Sequence, residues 1–395
     1  MPLALRLAWT LTMMWIICSI GTALAALGPT LEDLAVQLRL PAAAVGSMFT
    51  CRALGYLCGA LWCSELLRYL GNVAAVMLLP LACSGVGCLA LPSLTSYVLA
   101  AVLFFFQGFS MGLMDTGGQL VMLDLWRDSP YQNGFTHAFH FVFGLGAAIA
   151  PAIVRAFLQH GEPAMAVWSV VGAMFLVSCL ALMPLFCSPQ PLTKAAEPQG
   201  EQARTSSWVT ALTGAFLFVY VGIEVAYGGY VDSFSVHWLG ASEVEGATLT
   251  TLYWAALCLG RAVAALATPF VHHSRYLAAH LALALLAALL LGLVPEASGW
   301  HAGLVPTMLF GFALAPLFPG AMLLAEELLQ GPLPPRAAGL IVAAAAAGEM
   351  ALPLLVGALM ASWPGSFAWS QLALCAASSA VFLANASGAL AAKRQ

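Results

Sequence analysis

The chain has 395 residues, of which 62% are hydrophobic and 8% charged, with a mean hydropathy of +0.92 and a formal net charge of −4. A soluble domain carries about 25% charged residues, so this composition excludes one; long apolar runs in place of short alternating strands also exclude an outer-membrane barrel. No basic cluster points to nucleic acid, and the chain reads as an all-α polytopic protein of the lipid bilayer.

A membrane-crossing helix takes about 20 apolar residues at ~1.5 Å rise each. Hydropathy and helix breakers predict twelve such spans: 7–28, 44–64, 72–92, 97–124, 135–158, 165–187, 208–235, 247–268, 276–294, 302–325, 337–361 and 367–388. The first, with Arg6, an apolar run and TALAA, imitates a secretory signal, but the internal repeat described below requires it as a helix. Span two carries Arg52. Span four holds Asp115, followed by Thr116, Gly117, Gly118 and Gln119. Asp115 and Gln119 are one turn apart and share a face, which suits a cavity or solute site and equally an Asp bonded to a neighbouring helix. Span five opens with His137 and His140. They have the spacing of a metal pair but no third ligand, so no metal is expected, and His140 is the candidate for solute bonding or proton handling.

A polar stretch, 188–207, follows span six. It separates an N-terminal six-helix half, 1–187, from a C-terminal half, 208–395, and is expected to be a cytoplasmic linker. In span seven Tyr220, Glu224 and Tyr227 form one stripe, and Gly228–Gly229 is expected to loosen the helix. Tyrosines beside a carboxylate suit a sugar, with the ring on an apolar sugar face and the acid accepting hydroxyl bonds. Span eight carries Trp254, either a stacking surface or an interfacial anchor, and Arg261. Span eleven carries Glu349 among small residues. Arg261 is expected to pair with Glu224 or Glu349, and Arg52 and Arg261 are the buried charge partners. The ten cysteines show no zinc spacing and read as small apolar fillers.

The halves repeat. Gly108 aligns with Gly311 and Gly117 with Gly320; at nearly the same offset Gly146 aligns with Gly348, Pro151 with Pro353 and Gly55 with Gly260. Parallel repeats of six helices define the major facilitator architecture, which places substrate near the membrane midplane. With the N-terminus inside, Arg6, Arg68, Arg127, Lys194, Arg204, Arg275, Arg336, Lys393 and Arg394 are cytoplasmic and only Arg39 and Arg155 are outside. That bias places both termini in the cytoplasm. The sequon Asn385-Ala-Ser387 then falls at an inner end, where it is unused. No GxxxxGK[ST] loop and no nucleophile–His–acid set appears, which argues against an ATP-driven pump and against an enzyme.

The segments ALGPTLEDLA, MDTGGQLVMLDLW, HAFHFVFGLGAAIAP, YVGIEVAYGGYV, PLFPGAMLLAEE and GEMALPLLVG run through nearly the whole chain. On them the chain resembles the fucose-permease-like branch of the major facilitator superfamily, and within it the sodium-dependent glucose transporter 1 / major facilitator superfamily domain-containing protein 4 family. The resemblance implies cation-coupled monosaccharide transport, with Asp115 at the position of the coupling acid in span four and Glu224 as the second acid. The superfamily loop GxLxDRxGR is degenerate here, Gly59, Glu65, Arg68 and Gly71 surviving at altered spacing.

The reading is therefore a monomeric twelve-helix secondary transporter, placed in the plasma membrane. It moves a hexose such as glucose by alternating access, coupled to Na⁺ or H⁺ at Asp115 and Glu224, with no cofactor. Gln119, His140, Tyr227, Trp254 and Glu349 are the candidate solute shell. The alternatives are the same fold with an organic anion or lipid as substrate, and a non-transporting scaffold or sensor.

Overall fold

A computed structural model describes the chain except residues 128, 130, 131, 192–206, 268, 269, 330–334 and 393–395, and most of the expected linker lies outside the described residues. Among the described residues twelve long helical bodies follow one another: α1 (Leu3–Ala26), α2 (Ser47–Leu70), α3 (Val73–Ala90), α4 (Tyr97–Leu125), α5 (Gln132–Gln159), α6 (Val167–Phe186), α7 (Ser207–His237), α8 (Glu243–Ala267), α9 (His273–Gly292), α10 in two pieces (His301–Leu314 and Leu317–Leu329), α11 (Pro335–Ser362) and α12 (Ser366–Ala392). Eleven of them are long and apolar enough to cross a membrane. The other, α2, has the length, at 24 residues, but Arg52, Glu65 and Arg68 lower its hydropathy. Leu11, Leu79, Leu180 and Leu383 are each more than 60% exposed, a surface that only hydrocarbon makes stable.

Local chemistry sets the helix ends. Gly71 closes α2 at φ +61°, its N–H donating to the Leu67 carbonyl, the left-handed position that glycine occupies without a Cβ penalty. Asn72 then caps α3 by accepting from the Ala75 N–H at 2.9 Å. Trp168 Nε1 of α6 donates to Thr30 Oγ1 in the turn that follows α1, and Trp126 Nε1, just beyond α4, donates to Thr10 Oγ1 of α1.

The chain divides into two compact units, Met1–Gln199 and Gly200–Gln395. Inside the first, α1 packs on α5, α2 on α4, and α3 on α6; inside the second, α7 packs on α11, α8 on α10, and α9 on α12. The repeat seen in the glycines is thus a repeat of helix pairs, and the aligned glycines make equivalent contacts. A Cβ on Gly108 would stand 1.8 Å from the Arg52 carbonyl oxygen of α2, and one on its counterpart Gly311 would stand 2.4 Å from the Tyr253 oxygen of α8. Gly146 is pressed on Cys18 of α1, as Gly348 is on Phe218 of α7. These are small-residue crossings, where helices in lipid gain van der Waals contact by bringing backbones together.

Two features of the helices differ from expectation. Gly228 and Gly229 do not loosen α7, which runs unbroken through them. Gly228 instead leaves room for the Trp254 indole, whose Cζ2 would lie 2.4 Å from a Cβ there. The discontinuity falls in α10, between Leu314 and Leu317. Pro316 lacks the N–H that would bond the Phe312 carbonyl, and its ring crowds that carbonyl. The Ala315 N–H takes up the Phe312 oxygen at 3.4 Å, and the freed Ala313 oxygen meets His280 Nδ1 of α9 at 3.0 Å.

Candidate functional site

In the first unit the glycine crossing of α2 and α4 positions the acid. Gly112 brings α4 so close to α2 that a Cβ would stand 2.0 Å from the Tyr56 carbonyl oxygen. Three residues on, Asp115 lies on the same side of α4, within reach of the Tyr56 phenol, which donates to Asp115 Oδ2 at 2.5 Å. Asp115 is half-buried, and among the described residues no cation pairs with it. Gln119, one turn further, is also half-buried. Gly117 and Gly118 serve packing rather than a ligand: Met77 of α3 closes over one and Phe139 of α5 over the other.

His140 is exposed on α5, its ring edge-on to Phe139 at 5.8 Å; the His137 side chain lies outside the described ones. Arg52 is 1% exposed and donates to the Leu24 carbonyl of α1 at 2.9 Å, with its guanidinium 5.4 Å from the Phe49 ring. It therefore joins α1 to α2.

In the second unit the expected ion pair is present. Arg261 of α8 donates to Glu224 Oε1 of α7 at 3.0 Å. The Tyr220 phenol, one turn back on α7, donates to Glu224 Oε2. The Tyr253 hydroxyl donates to the Glu224 backbone oxygen at 3.0 Å. Both carboxylate oxygens are thus engaged, and the low-dielectric surroundings strengthen the pair that offsets their desolvation.

Tyr227 meets this network through the Tyr253 ring. Its ring lies 4.6 Å from Tyr253, 4.4 Å from Phe310 and 5.1 Å from Phe367, and its hydroxyl bonds Thr307 at 2.9 Å. Trp254 packs edge-on against Tyr253 at 5.0 Å and is 1% exposed, so it is a core side chain here and not an interfacial anchor. Glu349 is buried on α11 beside the Gly348 crossing. Asn385 is buried too, its amide directed at Thr213 at 3.4 Å, no place for a glycan. Among the described residues no three His, Cys, Asp or Glu side chains gather as a metal cluster.

Sequence reasoning missed Tyr56, Tyr253 and Thr307. Tyr56 carried a signal, since it is a phenol between Gly55 and Gly59 in RALGYLCGAL. Tyr253 and Thr307 were hidden because a tyrosine or threonine costs little in an apolar helix and does not stand out from it.

Long apolar helices in two units of six, paired alike in each and carrying isolated charged groups, define a membrane transporter of the twelve-helix class. A sequence profile of the Major Facilitator Superfamily matches residues 13–329, and the chain belongs to that family. It is 28% identical over 388 residues to sodium-dependent glucose transporter 1 of Homo sapiens, across 87% of this chain and 72% of that protein. It is also 28% identical over 370 residues to the Xenopus laevis protein of the same name, across 87% and 74%.

Among solved structures the fold is similar to the nucleoside transporter NupG, with a TM-score of 0.75 at 12% identity over 97% of this chain and 99% of that one. It is similar also to a bacterial homologue of the human lysosomal transporter Spinster, with a TM-score of 0.72 at 14% identity over 98% of each. The protein is an integral multi-pass membrane transporter of a small molecule and not an enzyme.

Proposed function

We propose that this protein carries a hexose such as glucose across the membrane by alternating access, driven by Na⁺ or H⁺, with Asp115 as the coupling carboxylate. The observation that carries the reading is a half-buried Asp115 inside a membrane-length helix, bonded to a phenol and met by no cationic side chain among the described residues. An ionised Asp at the centre of a membrane helix costs about 2.5–3.5 kcal/mol on insertion scales. A bound Na⁺ or proton removes that charge, so ion occupancy is coupled to the stability of the helix packing around it. The relatedness to sodium-dependent glucose transporters supports the sugar and the ion.

Glu224 is the second acid, and Arg261 acts as its resident counter-ion. A coupling cation reaches Glu224 only by displacing the guanidinium. Gln119, half-buried, and His140, exposed, are members of the solute shell, with Tyr227, Trp254 and Glu349, buried in the second unit, as the further candidates. The protein acts as a monomer at the plasma membrane, its two six-helix halves joined by a cytoplasmic linker and both termini cytoplasmic.

Radiolabelled glucose uptake into proteoliposomes, with an inward sodium gradient, with a proton gradient and with neither, tests the whole reading. The expected outcome is uptake that one of the two gradients accelerates. Uptake of no hexose, with the purified protein folded, would point to another substrate such as an organic anion or lipid, or to a scaffold that kept the fold; the altered loop after α2 favours the scaffold of these.

A further inference from the structure

The two membrane acids share one arrangement, each within its own unit. The Tyr56 phenol donates to one oxygen of Asp115, Oδ2, at 2.5 Å, and the Tyr220 phenol donates to one oxygen of Glu224, Oε2. The remaining oxygens differ. Glu224 Oε1 holds the Arg261 guanidinium at 3.0 Å, whereas Asp115 Oδ1 meets no side-chain donor among the described residues.

The backbone fixes where the Tyr56 phenol stands. A Cβ on Gly55 would lie 1.9 Å from the Phe105 carbonyl oxygen of α4, and one on Gly59 would lie 2.0 Å from that of Phe109. From the other side, Gly108 is pressed on the Arg52 carbonyl and Gly112 on that of Tyr56 itself. Four glycine crossings thus lock α2 on α4 over the stretch that carries the phenol, and the lock keeps the phenol within reach of the carboxylate.

A donor held in that place has a definite effect on ion binding. A phenol bonds a bare carboxylate more strongly than one whose charge a cation or proton has neutralised. It therefore stabilises the empty acid more than the occupied one and opposes the ion. The difference between a hydrogen bond to a charged group and one to a neutral group corresponds to about tenfold in an equilibrium constant. A pathway that passes ions needs binding weak enough for the ion to leave again.

We propose that Tyr56 competes with the coupling ion for the Asp115 carboxylate, and so sets the affinity at which that ion is taken up and released. The inference rests on the reading of Asp115 as the coupling acid. Tyr56→Phe keeps the ring and removes the donor. Its mark is tighter ion binding, which mere damage to the site does not produce.

The purified full-length protein is melted while NaCl is titrated against choline chloride, and separately while pH is varied. Glucose uptake into proteoliposomes is measured over the same ranges. In Tyr56→Phe the ion concentration that gives half the effect should fall about tenfold, and the maximal uptake rate should fall as release slows. The glucose KM at saturating ion should stay as it is. Tyr56→Met, which also lacks the donor, replaces the Phe variant if that one does not fold. Equal or weaker ion binding in a folded variant would overturn the role of Tyr56 and leave Asp115 as the coupling acid. An ion response that is absent from the unaltered protein, or that survives Asp115→Asn, would remove Asp115 itself and Tyr56 with it.

Discussion

Asp115 and Glu224 are both carboxylates in membrane helices, yet their surroundings assign them different behaviour. Asp115 is held by one phenol, and in the proposed function a mobile ion takes up its charge. Asp115→Asn keeps the shape and the Tyr56 hydrogen bond, and it is expected to abolish the cation dependence of uptake with the melting temperature little changed. Sodium- and pH-dependent uptake equal to that of the unaltered protein would remove Asp115 from the coupling role.

Glu224 is held by Arg261 and Tyr220, and removing one member strands the other. Arg261→Met should destabilise the second unit by ~3–5 kcal/mol, the size seen when a buried pair is broken. Adding Glu224→Gln should restore much of the loss. A thermal melt of single and double variants reads both, and additive losses would mean that the pair is not coupled.

At the level of helices, the fold rests on pairs brought together through glycine. Gly348→Val would force a branched side chain into the Phe218 carbonyl, only 1.8 Å from where the Cβ would stand, and should prevent a monodisperse preparation. Gly339→Ala on the same helix meets nothing within 4 Å. It should leave stability unchanged or raise it by up to ~1 kcal/mol through helix propensity. Size-exclusion profiles of the two variants check the contrast, and a folded Gly348→Val protein would show that α7 and α11 can separate at little cost.

Much of this level was legible beforehand. Span lengths and the offset of about 200 residues between matching glycines are local or periodic properties of the chain, whereas the break at Pro316 was not read from it. The error at Gly228 has a clear cause: glycine permits either a bend or a close approach, and only the neighbour, Trp254, settles which.

For the whole molecule, the proposed orientation rests on basic residues that need no tertiary contact. Epitope tags at either terminus should react with antibody only after permeabilisation, and reaction of either tag in intact cells would overturn the inside placement of both ends.

Composition, hydropathy period and the duplicated motifs determined that this is a twelve-helix membrane protein of two related halves, because a bilayer forces every backbone group into helices and rewards only apolar faces. Those constraints act residue by residue and are written along the chain. Tertiary structure decided that Arg261 pairs with Glu224, that Tyr56 reaches Asp115 and that Tyr227 joins an aromatic cluster. Each of these depends on how two helices rotate against each other. In lipid that rotation is settled by shape and hydrogen bonding at the crossing, and neither helix carries that information alone.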